Sequence, residues 1–148
     1  MNSEHFSRLE RIFHLAPIQD LLSGAEIKVE NKKATYKLNI SKSFFHAANA
    51  LHGAIYFKLL DDSAYFAAAS IEETYFLLTK SYTIHFKRPV EVDALTAVGE
   101  LISESEGEIT CRSRITNNAG KIVAEGEGIF VRSKKLLAEQ LSFANASS

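Results

Sequence analysis

Apolar residues near the start of the chain recur at helical spacing. They fall on one face of a helix within residues 4–22. The residues with this spacing are Phe6, Leu9, Ile12 and Phe13. Pro17 has no backbone N–H and interrupts or restarts the helix, so the pattern predicts a helical segment over residues 1–24.

The period of the apolar positions changes to two after Ala25. Two alternating runs meet at a turn over residues 31–33, which predicts a β-hairpin that ends near Ile40. Four more strand-like stretches come later in the chain, at residues 79–88, 95–104, 108–116 and 121–132. We expect these four strands to form an antiparallel meander.

Between the hairpin and these strands lies a long apolar stretch, which predicts a helix over residues 50–72. A helix that is apolar nearly all round should be buried. Asp61 and Asp62 nevertheless lie in its middle, and a buried acid is costly unless it is paired or used. Lys58 stands four residues before Asp62 and favours an ion pair on an exposed strip, which leaves Asp61 unpaired.

The order of elements predicts an α+β fold, in which one antiparallel sheet wraps around one long central helix. A doubly wound fold would need helices between the later strands, and the pattern shows none there. We expect a single domain over residues 1–148, with a tail over 134–148 whose last residues, 141–148, are frayed.

Composition excludes several classes of function. The chain has 148 residues, is 46% hydrophobic and has a formal net charge of −1, with no long basic run, so we expect no nucleic-acid partner. The single Cys111 cannot form an internal disulfide. The charged N-terminus and the lack of a long uncharged apolar run predict a cytoplasmic protein that is not membrane-bound. We expect neither a metal nor an organic cofactor.

The start of the long helix carries a recognisable motif. His52-Gly53-Ala54, followed after six residues by Asp61, resembles the His-Gly-Gly…Asp signature of hot-dog-fold acyl-CoA thioesterases of the phenylacetate-degradation type. The strand before Pro89 and the closing hairpin that includes Gly120 are similar as well, so the resemblance covers about residues 25–133. It implies a hot-dog fold, an acyl-CoA substrate and a two-fold symmetric dimer as the basic unit.

The resemblance also implies residue roles. Asp61 matches the carboxylate that attacks the thioester or activates water, and Gly53 matches the residue whose N–H polarises the thioester carbonyl. His52 matches the motif histidine, which we interpret as a cap for the loop more than a proton carrier. Thr79 matches a hydroxyl residue that helps to place the water. In a regular strand, however, Thr79 would lie on the face opposite to that of Ile84.

Three positions depart from the family pattern and are expected to line the substrate site. Ala54 replaces the second glycine, His46 stands where the family often has asparagine, and Asn49 where it often has glycine. Five basic residues are candidates for binding the phosphates of coenzyme A. They are Lys80, Lys87, Arg88, Arg132 and Lys134, of which we favour Lys80 and Arg88.

Helix geometry implies that the site needs two subunits. Gly53 and Asp61 are eight residues apart, which is about 12 Å along a helix. One carbonyl cannot contact both positions in one chain, so Gly53 of one subunit would act with Asp61 of another. We therefore expect a homo-oligomer, either a dimer or a tetramer.

Two other functions remain open. A hot-dog protein that binds acyl-CoA without hydrolysing it is favoured by His46 and Ala54. A hot-dog dehydratase or hydratase is less consistent, because the motif of those enzymes is usually rich in proline and glycine around its histidine, and this chain has no proline between Pro17 and Pro89. On the closing hairpin, the turn at 117–120 places Arg112 opposite Glu125.

Overall fold

The computed structural model describes residues 2–140. It contains the helices α1 (Ser3–Leu15) and α2 (Gly53–Ala69), and short 3₁₀ turns occupy Pro17–Leu21 and Lys42–Phe44. The strands follow the order β1 (Glu26–Glu30), β2 (Lys33–Asn39), β3 (Tyr75–Phe86), β4 (Ala94–Ser105), β5 (Glu108–Thr116) and β6 (Ile122–Leu136).

The strands form one antiparallel sheet in the order β1-β2-β4-β5-β6-β3, packed against α2. The predicted α+β hot-dog fold is therefore confirmed. The predicted four-stranded meander is confirmed for β4, β5 and β6, which are consecutive antiparallel neighbours, but it is wrong for β3, which lies at the far edge of the sheet beside β6. The alternating pattern identifies strands but does not specify their neighbours, and the chain between β3 and β4 crosses the sheet.

The centre of α2 packs closely on the sheet. Leu59, Leu60 and Ala64 are fully buried. Gly99 of β4 lies so close to α2 that a Cβ at this position would come within 2.1 Å of the Ser63 carbonyl oxygen. This contact sets the distance between α2 and the sheet at the helical turn that carries Asp61.

The N-terminal segment covers one end of the core. His5 of α1 lies with its Nε2 2.8 Å from the Ala69 carbonyl oxygen at the end of α2. Phe13 packs edge-on against Tyr36 of β2. Glu10 accepts a hydrogen bond from the Val29 N–H of the edge strand β1 at 2.8 Å. Helix α1 therefore protects the β1 edge of the sheet.

Several predicted boundaries differ from the structure. Strand β3 begins at Tyr75, four residues before the predicted start, and β6 continues to Leu136, so residues 134–136 are strand and not tail. The residues expected to be frayed, 141–148, lie outside the described residues. Leu137 is buried and donates its N–H to the Thr74 carbonyl at 2.8 Å, which anchors the end of β6 beside the start of β3.

The predicted register of the closing hairpin is wrong by two residues. Arg112 pairs with Glu127, and Arg114 is the residue opposite Glu125. One residue of the difference arises because Thr116 pairs with Ile122, and the other arises from an irregularity between Ile115 and Thr116.

Candidate active site

Helix α2 begins with an unpaired backbone donor. The His52 Nδ1 accepts the Ala54 N–H at 2.9 Å, and the Ile55 N–H bonds the His52 carbonyl at 3.0 Å. Within residues 2–140, the Gly53 N–H has no hydrogen-bond partner. It points from the positive end of the helix dipole, and Gly53 has no side chain to block an approaching carbonyl.

The loop before α2 is closed by hydrogen bonds of its own. The His46 Nδ1 accepts the Ala48 N–H at 3.0 Å, and the His46 N–H bonds the Ala50 carbonyl at 2.9 Å. In a neutral ring this leaves Nε2 of the exposed His46 as a free donor. Asn49 has a positive φ of 62°, a conformation that glycine adopts without strain and asparagine tolerates.

Asp61 lies half-buried two turns along α2 from Gly53. Its Oδ1 accepts a hydrogen bond from the Thr79 hydroxyl at 2.9 Å. Burial raises the pKa of Asp61 to about 6, although the Thr79 bond acts in the opposite direction. A carboxylate with a pKa near neutrality is suited to accept a proton from water.

A bulge in β3 explains how Thr79 reaches the helix. Thr79 pairs with Phe130 and Ser81 pairs with Ile129, so Lys80 is an extra residue between them. The extra residue reverses the parity of the strand. In a regular strand, residues five positions apart point to opposite faces. Because of the bulge, Thr79 and Ile84 both face α2. The parity argument against Thr79 assumed a regular strand and is wrong for this reason.

Asp62 has a different environment from its neighbour. It forms an ion pair with Lys58, as predicted. The two side chains are only 15% and 16% exposed, so the prediction that the pair lies on an exposed strip of the helix is wrong. The Lys58 Nζ lies 5.5 Å from the Phe13 ring centre and 5.9 Å from that of Tyr36, because α1 and β2 cover this side of α2. Burial raises the pKa of Asp62 and the Lys58 charge lowers it.

Four aromatic rings line the seam between α2 and β3. Tyr56 packs edge-on against Phe86, and Phe57 packs edge-on against Tyr82. Phe57 and Phe86 are exposed, and a Cβ on Gly53 would lie 3.6 Å from the Phe86 ring. Phe57 is not among the residues predicted for the site, although its spacing of four from both Gly53 and Asp61 places it on the same face of the helix.

The basic candidates differ in how far they are already paired. Lys80 forms an ion pair with Glu108, and Lys87 lies 3.6 Å from Glu125. Arg132 bonds two glutamates, whereas the exposed Arg88 and Lys134 have no ion pair within residues 2–140. Arg88 is also tied to α2 by its carbonyl, which accepts the Tyr56 hydroxyl at 2.8 Å.

The other expected site residues lie around the helix start. Ala54 is exposed, but its N–H is occupied by His52, so only its methyl group is available to a ligand. Among the described residues there is no cluster of three or more histidine, cysteine or acidic side chains arranged to hold a metal. None of the described helices is long and apolar enough to cross a membrane.

The family is established by comparison with known proteins. The model of the thioesterase superfamily matches residues 48–124, just over half of the chain, and this range includes the start of α2, Asp61 and Thr79. The chain therefore belongs to the thioesterase superfamily. Comparison with curated protein sequences gives no significant match.

Solved structures agree with this fold. The PaaI protein of the E. coli phenylacetic acid degradation operon is 19% identical with a TM-score of 0.80, over 90% of this chain and 96% of that one. Zebra fish thioesterase superfamily member 2 is 16% identical with a TM-score of 0.77, over 86% and 98%. A mutant of the phenylacetic acid degradation protein PaaI from Thermus thermophilus is 18% identical with a TM-score of 0.72, over 80% and 100%.

Proposed function

We propose that this protein is a thioesterase that hydrolyses a small or medium acyl-CoA or aryl-acyl-CoA thioester. The observation that carries the proposal is the hydrogen bond between Thr79 and the half-buried Asp61, on a helix whose first N–H, that of Gly53, has no hydrogen-bond partner among the described residues. Membership of the thioesterase superfamily supports hydrolysis of a thioester in general.

The proposed reaction uses these groups in turn. The Gly53 N–H binds the thioester carbonyl oxygen and stabilises the negative charge that develops there. Asp61 either takes a proton from water, which attacks the carbonyl carbon, or attacks that carbon itself to form an anhydride that water then cleaves. Either way the C–S bond breaks, the thiolate of coenzyme A takes up a proton, and the acyl group leaves as a carboxylate.

We further propose that two copies of the chain complete each site. Gly53 and Asp61 lie about 12 Å apart along α2, too far for one carbonyl to reach both. Strand β3 is an edge strand of 12 residues that pairs with β6 on one side, whereas α1 protects the opposite edge at β1. Antiparallel pairing of two β3 edges would bring the start of one α2 towards the middle of the other.

Placement of the substrate follows from the same geometry. The acyl group would lie along the exposed rings of Phe57 and Phe86, next to Gly53. The phosphates of coenzyme A would extend to Arg88, which has no ion pair in the described part of the chain, with Lys80 as a second contact. The Nε2 donor of His46, with Asn49 and the methyl group of Ala54, would line the entrance.

The direct test is a thiol-release assay across a panel of acyl-CoA chain lengths. The wild type is expected to release thiol, with kcat falling as the pH drops through about 6, because Asp61 must be ionised. Asp61→Asn keeps the shape of the side chain and is expected to lose activity. Equal activity of the variant would refute the mechanism. Tight acyl-CoA binding without thiol release would instead select the non-catalytic binding protein.

A further inference from the structure

A chain of hydroxyl groups connects the sheet to α2 beside Asp61. The Ser113 hydroxyl of β5 donates a hydrogen bond to the Leu60 carbonyl at 2.8 Å. The Tyr82 hydroxyl of β3 bonds the Ser113 oxygen in turn. Because Ser113 has a single hydroxyl hydrogen and a carbonyl can only accept, Tyr82 is the donor in this second bond. Leu60 directly precedes Asp61, so the chain ends at the backbone that carries the acid.

The sheet is shaped to admit the Tyr82 ring. A Cβ on Gly126 would come within 2.5 Å of the ring, and a Cβ on Gly128 would come equally close. Both glycines lie on β6, directly between β3 and β5. Any side chain at either position would push the ring away from Ser113. The hydroxyl chain therefore depends on two positions without side chains.

A nearby serine shows that a buried hydroxyl can be satisfied without such a chain. The Ser63 hydroxyl donates to the Leu59 carbonyl at 2.8 Å and reaches the Leu60 carbonyl at 3.2 Å, and both carbonyls belong to its own helix. Ser113, which is also buried, reaches instead from the sheet to the helix and is joined by Tyr82 from a third element. A bond between elements restrains how the helix is rotated and placed, whereas a bond within a helix does not.

We propose that Tyr82 and Ser113 are positioning residues that hold Asp61 against Thr79. Their hydroxyl chain fixes the Leu60 carbonyl relative to the sheet, and Thr79 contacts Asp61 from the same strand that carries Tyr82. The carboxylate is therefore held at two points, through its own oxygen and through the backbone before it. This proposal rests on the proposed function, because it assumes that Asp61 acts on the thioester.

The experiment compares Ser113→Ala and Tyr82→Phe with Ser63→Ala as the matched control. Each variant removes one buried or partly buried hydroxyl, and Tyr82→Phe keeps the ring. We expect kcat to fall about tenfold in the two test variants with KM within about twofold of wild type, because misplacing a reacting group costs rate more than binding. Ser63→Ala should keep its kcat, although it loses a comparable amount of thermal stability.

A double-variant cycle with Thr79→Ala distinguishes positioning from general weakening. If Ser113 acts through the Asp61–Thr79 contact, Ser113→Ala should have a clearly smaller effect on kcat in the Thr79→Ala background than in the wild type. Additive effects, or an equal loss of kcat in Ser63→Ala, would overturn the positioning role. A fully active Asp61→Asn would overturn the proposed function itself, so the two failures are distinguishable.

Discussion

At the scale of single residues, the neighbouring carboxylates of Asp61 and Asp62 differ in their contacts. Asp62 forms an ion pair with Lys58 beneath α1, whereas Asp61 accepts a hydrogen bond from the neutral hydroxyl of Thr79. Burial raises the pKa of both carboxyl groups. Adjacent positions on a helix point about 100° apart, so each carboxylate meets a different layer of the fold. The ion-paired acid contributes to structure, and we propose that its neighbour carries the chemistry.

Asp61 should cost the protein stability at the pH where it is proposed to work. Its pKa is raised from 3.8 to about 6 in the folded state. The ionised carboxylate therefore lowers the free energy of unfolding, with the full effect above pH 6 and none below pH 4. Asp61→Asn is therefore expected to be more stable than wild type at pH 8, by up to about 3 kcal/mol. Urea titrations at pH 8 and pH 4 check this, and an equal difference at both would contradict it.

The role of the Gly53 N–H can be isolated with two variants. Proline is favoured at the first position of a helix, and His52 has the extended ψ of 141° that a following proline requires, so Gly53→Pro removes the N–H with the helix intact. We expect kcat to fall by about 10²–10³-fold, as for loss of an oxyanion donor. Gly53→Ala keeps the N–H and should lose much less. Equal thiol-release rates in the two variants would argue against an oxyanion role.

At the scale of elements, irregular features of the strands decide the site. The bulge at Lys80 turns Thr79 towards α2, and the absence of a side chain at Gly99 lets α2 approach β4. Neither feature belongs to a regular strand. Together they bring the edge strand and the central helix close enough for a hydrogen bond between Thr79 and Asp61.

Filling the space at Gly99 should therefore separate these elements. Gly99→Ala would place a Cβ within 2.1 Å of the Ser63 carbonyl oxygen, which is backbone and cannot rotate away. We expect a loss of about 1–3 kcal/mol of stability or more, together with reduced activity. Ser103→Ala, on the exposed end of β4, is the control and should unfold like wild type in urea. A Gly99→Ala protein as stable as this control would contradict the packing argument.

At the scale of the whole molecule, the two edge strands of the sheet differ in whether they are covered. Glu10 of α1 covers β1, whereas β3 has an edge that no described strand pairs with, beside the exposed rings of Phe57 and Phe86. An open, partly apolar edge next to an incomplete site is the arrangement expected where a second copy binds. The proposal of a shared site follows from this asymmetry and from the length of α2.

Complementation between two inactive variants tests the shared site. A dimer of Asp61→Asn with Gly53→Pro would contain one site with both wild-type residues and one with neither. Random reassembly of equal amounts should restore about a quarter of wild-type activity, since half of the dimers are mixed and each has one working site. No recovery, in a mixture that light scattering shows to be dimeric and exchanged, would place both residues of each site in one chain.

Local sequence patterns located the elements of this protein and the residues of its motif. Alternation and helical spacing are local properties, so they predicted α1, α2 and six strands within a few residues, and the spacing along one helix put Gly53 and Asp61 about 12 Å apart. Contacts between distant segments decided which strands are neighbours, which way Thr79 faces, and that the Lys58–Asp62 pair is buried. These depend on a chain crossing, a one-residue bulge and the cover of α1, which arise from contacts between distant segments.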